Sequence, residues 1–242
     1  MGTAGRNFLE LVKEDKILTV AINNPPHNYL SSGFLAELFS LKEVLSAPDI
    51  DAIIFTGKGN VFSKGADIDE LKSGALAVDR QMIIDGNEVY TFISSISKPV
   101  IAAINGACFG GGLELALACH LRVCSEKARL GLPEVSLGLI PGLGGIARLT
   151  RVVGESRALE MILLGDMISA ARAYELNLVS RVFPKENFVG HVLPFVKTLL
   201  TARKEAITEV IQLVTQLRSE HEAPNIVAAA EGFMRLLSSR VT

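Results

Sequence analysis

Glu114 is the first residue in this chain whose surroundings suggest chemistry. It follows three consecutive glycines, Gly110-Gly111-Gly112, which themselves follow an apolar run, Val100–Ile104, and an Asn105-Gly106 pair. The run reads as a buried strand, and residues 113–119 read as a helix with the acid in its first turn. Glycines let a backbone approach a ligand closely, and a helix start has N–H groups with no intrahelical partner. Such a turn can bind negative charge as it develops, with a carboxylate beside it to move a proton. The same residues also suit a plain tight turn that needs small side chains and carries an ordinary first-turn acid. Locally, both readings stand.

Glu134 lies twenty residues further on, directly after Pro133, which is placed to begin a helix. A helix rising ~1.5 Å per residue and a strand rising ~3.3 Å per residue can carry the chain out and back over that interval. The two acids can then face one pocket. In a dry pocket, desolvation and mutual repulsion push an apparent pKa upward, so such a pair divides acid and base duties. Two unrelated surface acids would show the same spacing.

The elements that must position these acids alternate along the chain. Residues 8–13 and Ile17–Ile22 read as a hairpin, and Pro25-Pro26 breaks the pattern after it. Ser31 or Ser32 caps a helix over residues 32–45, which Pro48 ends. A buried strand over 52–56 leads into a glycine-rich loop, 57–67, and Asp67 opens a helix through Ile68 and Leu71. That loop resembles a dinucleotide fingerprint only superficially, since Phe62 stands where the third glycine belongs. Helical residues 79–95 precede the strand and glycine turn described above. Beyond them come a strand over 120–124, a second glycine turn over 139–145, helices over 146–152 and 156–164, and a last strand over 179–183. From residue 186 the strong segments are helical, over 189–203, 204–217 and 228–237. The order argues for an α/β region followed by helices.

The 242 residues suit one large domain or two small ones, and nearly half are apolar. A net charge of −2 gives no electrostatic case for nucleic acid or a membrane surface. Cys108, Cys119 and Cys124 have neither zinc-ligand spacing nor a CxxC pair and read as core residues in a reducing compartment. No apolar run approaches the ~20 residues of a membrane span. Residues 1–7 lack the apolar centre of a signal peptide and read as a disordered lead-in. Cytoplasm is the expected location, and a mature mitochondrial matrix enzyme would look the same.

Four segments stand in order: Gly57-x-Gly-x-x-Phe62-x-x-Gly65-Ala-Asp67, Lys98-Pro-Val-Ile-Ala-Ala-Ile-Asn-Gly106, Gly110-Gly-Gly-Leu-Glu114 and Pro133-Glu134-x-x-Leu-Gly138-x-Ile-Pro-Gly-x-Gly-Gly145. Leu164-Gly-Asp-x-Ile-Ser-Ala and Leu178-Val-Ser-x-Val-Phe-Pro184 follow them. Taken together, from about residue 8 to 240, they closely resemble the enoyl-CoA hydratase/isomerase (crotonase) family. The resemblance implies an α/β fold, a crotonase-like superhelix of ββα turns over 8–185, with a C-terminal helical subdomain over 186–242 that serves trimerisation. Trimers of this family commonly pair into hexamers. The implied ligand is an acyl thioester of coenzyme A, with no metal and no redox cofactor.

By motif position, the backbone N–H groups of Ala66 and Gly111 would stabilise a thioester enolate. Hydratases of the family carry two glutamates, and this chain has both, Glu114 and Glu134. The resemblance therefore implies reversible addition of water to a trans-2-enoyl thioester. Both acids would hold the water, Glu114 helping to activate it and Glu134 handling the proton at the α carbon, while Gly142 helps place the water. Asn28, Leu30, Lys64, Asp67 and Ile68 fall in the segments that hold the coenzyme, although Lys64 also suits a solvated loop and Asn28 and Leu30 also suit loop shaping. His120 departs from the family's usual Asp and is read as a hydrogen-bonded strand-edge residue; His27, His191 and His221 are assigned no chemistry. Residues 145–148 are less polar than in relatives, and the shortened C-terminus would admit a substrate carried on an acyl-carrier protein. The rivals are an isomerase, a decarboxylase or carrier-protein dehydratase on the same fold, and a noncatalytic RNA-binding member. The stretch after Asp67 has no lysine-dense face to support RNA binding.

Overall fold

Strand pairs that step repeatedly between two sheets set the architecture. A computed structural model describes residues 8–66 and 76–238; the expected helix opening at Asp67 lies outside the described residues. β1 (Leu9–Glu14) and β2 (Ile17–Ile22) form the expected antiparallel hairpin, with Asp15 at positive φ in its turn. β3 (Ala52–Gly57), β5 (Val100–Ile104), β7 (Leu121–Ser125) and β10 (Arg181–Phe183) extend the sheet in parallel, in the order β1-β2-β3-β5-β7-β10. A second sheet holds β4 (Val61–Ser63), β6 (Ala107–Phe109), β8 (Arg129–Gly131) and β9 (Ile168–Ser169). Three times in succession a strand of the large sheet is followed by a strand of the small one, so the chain winds as a superhelix. The small sheet was not foreseen. Strands of two or three residues are too short to show an alternating pattern.

The helices fill the turns of this winding. α1 (Ser32–Ser40) begins where expected, with the Ser31 hydroxyl accepting the Phe34 N–H, and α2 (Lys42–Ser46) continues it after a break at Leu41. α3 (Leu76–Ser95), α4 (Gly111–Ala118), α5 (Gly145–Val153), α6 (Glu155–Leu164) and α7 (Ala170–Glu175) follow. α8 (Phe188–Leu199) packs Val192 and Val196 against Ala52, Ile54 and Ile101 on one face of the large sheet. Ile53 and Phe55 alternate with them onto the main core, so β3 is apolar throughout because both faces are covered. The two segments expected over 204–217 and 228–237 are one helix, α9 (Lys204–Ser238), which carries Pro224 inside it. A proline removes one helical hydrogen bond, and a long helix with neighbours to pack on can bear that loss.

Single side chains lock the winding together. Asn105 donates to the carbonyls of Gly57 and Gly59 at 2.9 Å each and accepts from the Gly57 N–H at 3.1 Å. It thereby ties the end of β3 to the turn between β5 and β6. Buried Arg122 donates to the carbonyls of Leu178 and Cys119. His120 takes the Val100 N–H on Nδ1 and sits 3.3 Å from the Ser94 carbonyl through Nε2, so the Nε2–H tautomer is the one that fits. It is the structural strand-edge residue the sequence suggested. The three cysteines are buried and unbridged. Removing the Asn105 bonds in Asn105→Ala should cost about 2–3 kcal/mol and lower Tm by roughly 5–10 °C. Thermal and denaturant unfolding will check this.

Candidate active site

Helix α4 runs through the core, and every residue from Gly112 to Ala118 is buried. Glu114 is therefore a carboxylate among leucines and alanines, 2% exposed. Such a group needs hydrogen bonds to survive burial. Its Oε1 receives two from the second glycine turn, the N–H groups of Leu143 and Gly145, each at 2.8 Å. The Leu143 carbonyl in turn accepts from Nη1 of Arg148 at 2.7 Å, a residue of α5 that is only 1% exposed.

The first glycine turn faces the end of β4. Gly110 donates to the Gly131 carbonyl, and its own carbonyl accepts the Glu114 N–H, both at 3.0 Å. The carbonyl of the Gly110–Gly111 peptide thus points into the helix and its N–H points away from it. Gly110 adopts φ +52° and ψ −130°, a conformation suited only to glycine. Opposite lies Gly65-Ala66, held by the Leu30 N–H on the Gly65 carbonyl at 2.9 Å and a parallel bridge between Leu30 and Ala66. A methyl group built on Gly65 would lie 3.2 Å from the Gly111 nitrogen, and one on Gly111 would lie 4.0 Å from the Ala66 nitrogen. The two amides are neighbours. Among the described residues neither donates to a partner, so together they form a pair of preorganised donors for an oxyanion.

Glu134 opens a single 3-10 turn, Glu134–Leu137, with Pro133 just before it at the cap rather than inside the helix. Its Oε1 would come within 3.1 Å of a methyl placed on Gly110, so the carboxylate rests over the first glycine turn. Its Oε2 is buried and has no hydrogen-bond partner among the described residues. Burial pushes the Glu134 carboxyl up to about 8, and the charge of Glu114 adds to the rise. Burial also lifts Glu114, to about 7, against the pull of the Gly145 and Leu143 amides and the Arg148 cation. The pair acts as one coupled unit that holds a proton near neutrality.

The structure thus brings together four residues predicted from sequence: Glu114, Glu134, Ala66 and Gly111. Gly142 joins them, two residues after Ile140 in the turn that holds Glu114, with the Phe233 ring of α9 against it. Leu30 is buried and packs its side chain behind Gly111. The Asn28 side chain is committed to its own loop, donating to the carbonyls of Lys58 and Val61 and accepting from the Asn24 N–H. That makes Asn28 a residue that shapes the binding segment. Lys64 is exposed, with its backbone N–H on the His27 carbonyl at 3.1 Å, and Asp67 and Ile68 lie outside the described residues. Sequence reasoning missed Asn87, Tyr90 and Arg148. The first two share one face of a helix at i, i+3, which was the available signal.

A family described as enoyl-CoA hydratase/isomerase matches residues 12–239. A protein of Bacillus subtilis (strain 168) named "Probable enoyl-CoA hydratase" is 46% identical over 176 residues, 72% of this chain and 68% of that protein. The fatty acid oxidation complex subunit alpha of Shewanella loihica is 46% identical over 177 residues, 70% of this chain and 25% of the relative, so the chain corresponds to about a quarter of that protein. A solved enoyl-CoA hydratase from Mycobacterium avium subsp. paratuberculosis superposes with a TM-score of 0.86 at 27% identity, covering 96% of this chain and 90% of the other.

Both carboxyls sit above their ordinary 4.5. Between about 4.5 and 8 the folded protein keeps protons that the unfolded chain releases. The stability contributed by the protonated pair is complete below about 4.5 and is lost as pH rises through the folded values. Glu134→Gln should therefore be more stable than the wild type by roughly 1–3 kcal/mol at pH ~9, with the difference gone by pH ~4.5. Denaturant midpoints across that range measure it.

Proposed function

The chain belongs to the enoyl-CoA hydratase/isomerase family, and on that premise we propose that it is an enoyl-CoA hydratase. It adds water reversibly to a trans-2-enoyl thioester and gives the 3-hydroxyacyl thioester. One observation carries the reading: the buried Glu114 carboxyl, the Glu134 carboxyl with its buried Oε2 and two neighbouring backbone donors converge on the turn at Gly110. An isomerase needs to move only a proton between carbons, whereas hydration needs a base for water and an acid for carbon together.

In this reading the thioester carbonyl lies between the N–H groups of Ala66 and Gly111. Glu114 takes a proton from water as its oxygen bonds to the β carbon, and the π electrons of the alkene move onto the thioester oxygen. The resulting enolate is held by the two amides. It collapses as Glu134 delivers its proton to the α carbon. The pair ends with the proton on Glu114 in place of Glu134, and transfer between the carboxyls or through solvent restores it. Arg148 and the Leu143 and Gly145 amides keep Glu114 ionised enough to serve as the base, while burial and the negative neighbour keep Glu134 protonated enough to serve as the acid. The chemistry asks for no metal and no redox cofactor.

The substrate is read as an acyl thioester of coenzyme A, with a carrier-protein thioester as the form to test against it. Self-association into trimers, or pairs of trimers, is part of the proposal. It is supported by an apolar groove of about 1300 Å³ lined by residues such as Leu199, Ile207, Val210, Val214 and Leu217. A cytoplasmic location fits three unbridged cysteines.

The decisive experiment follows the loss of enoyl thioester absorbance with trans-2-enoyl-CoA substrates of several lengths. Glu114→Gln and Glu134→Gln should each lower kcat by about 10²–10⁴-fold with ligand affinity nearly unchanged. Wild-type rates in both variants would refute the mechanism, and turnover only of carrier-bound substrate would reassign the partner. The pH profile of kcat/KM should be bell-shaped, with its maximum between about 7, where Glu114 ionises, and about 8, where Glu134 gives up its proton.

A further inference from the structure

One face of α3 reaches both glycine turns. Asn87, Tyr90 and Ser94 stand at i, i+3 and i+7, which places them in a row along the helix. Asn87 Nδ2 donates to the Gly142 carbonyl at 2.8 Å and to the Ile83 carbonyl of its own helix at 2.9 Å. With two carbonyl oxygens on that side, the amide orientation is fixed, because Oδ1 cannot face them. The hydroxyl of fully buried Tyr90 donates to the Gly111 carbonyl at 3.1 Å. The Ser94 hydroxyl is 2.9 Å from the Tyr90 carbonyl and 3.1 Å from the Ala118 carbonyl at the far end of α4.

The Gly142 carbonyl and the Leu143 N–H are two ends of one peptide group. That N–H is one of the two that hold Glu114 Oε1. A hydrogen bond delivered to the carbonyl orients the plane of the peptide and strengthens the bond donated from its nitrogen. We propose that Asn87 is a positioning residue for the catalytic base, acting on Glu114 through the Gly142–Leu143 peptide, and that Tyr90, one turn further along, fixes the Gly111 end of the oxyanion site. Helix α3 then sets the distance between the base and the enolate donors. The inference rests on the hydratase reading for its kinetic consequences and on the hydrogen bonds alone for its structural ones.

The groups that face Glu114 are the Leu143 and Gly145 amides of the second glycine turn, Arg148 of α5, Glu134 of the 3-10 turn and Tyr90 of α3. Asn87 acts on the first of these. Replacing Asn87 with leucine keeps the bulk and removes the donor, so the base loses part of what holds it ionised.

The test compares Asn87→Leu, Tyr90→Phe and Ser94→Ala with the wild type, using a trans-2-enoyl-CoA. Asn87→Leu should lower kcat by about 10-fold with KM within about 2-fold, and move the acid limb of the pH profile upward by roughly half a unit. Tyr90→Phe should also lower kcat about 10-fold. It should leave the acid limb in place and reduce the red shift that a bound dienoyl thioester shows when its carbonyl is polarised. Ser94→Ala, which removes the hydroxyl on the Ala118 carbonyl at the far end of α4, should lose stability without change in kcat or profile. Wild-type kcat and pH profile in folded Asn87→Leu would overturn the proposal for Asn87, and an unaltered dienoyl spectrum in Tyr90→Phe would overturn it for Tyr90. Asn87→Ser serves if the leucine variant does not fold. If the wild type hydrates no enoyl thioester, the hydratase reading fails. Positioning is then read from the ¹⁵N shifts of the Leu143 and Gly112 amides, which follow the two gripped carbonyls. Shifts unchanged in the variants would refute it.

Discussion

A carboxylate inside a buried helix is the constraint on which the rest of this structure depends. Glu114 is surrounded by the apolar residues of α4 and is shielded from bulk solvent. Two backbone N–H groups from the turn at Leu143–Gly145 do that work at 2.8 Å each. For them to arrive, α5 must begin beside α4, and the turn between Pro141 and Gly145 must be pinned from behind. Arg148 does this at the Leu143 carbonyl and Asn87 at the Gly142 carbonyl. Because Glu114 is bound to backbone, its position is as firm as the superhelix.

The same arrangement gives the two glutamates different proton affinities. Both are lifted by burial, yet Glu114 is compensated by two amides and a nearby cation, whereas Glu134 has its own backbone N–H against burial and the charge of Glu114, with nothing on its Oε2 among the described residues. One carboxyl is therefore easier to ionise than the other. A chemistry that must take a proton from oxygen and give one to carbon needs that asymmetry. It comes at the expense of stability above neutral pH, a common feature of catalytic groups held in apolar surroundings.

The winding of strands supplies the remaining geometry. β4 and β6 run parallel in the small sheet, so the chain leaving each of them emerges at the same edge. Ala66 follows one and Gly111 the other. Asn105 binds the loops that feed both strands, which links a structural clamp in the large sheet to the spacing of the two amides. Helix α3 then spans the gap between the glycine turns and fastens each by a side chain.

The sequence by itself determined the long strands, the hairpin, the Ser31 cap, the glycine turns and the two acids, because each leaves a local mark: apolar runs, turn residues, or a charge where a helix begins. Family likeness across ordered motifs then carried the assignment of roles to Ala66, Gly111, Glu114 and Glu134. The small sheet escaped because strands of two or three residues carry no period. The parts played by Asn87, Tyr90 and Arg148 also escaped, since an asparagine or tyrosine on a helix looks the same whether it faces water or a carbonyl fifty-five residues away. Only the tertiary structure decided that. The burial that lifts both carboxyls and the neighbouring of two amides from separate strands are properties of packing, and no stretch of sequence contains them.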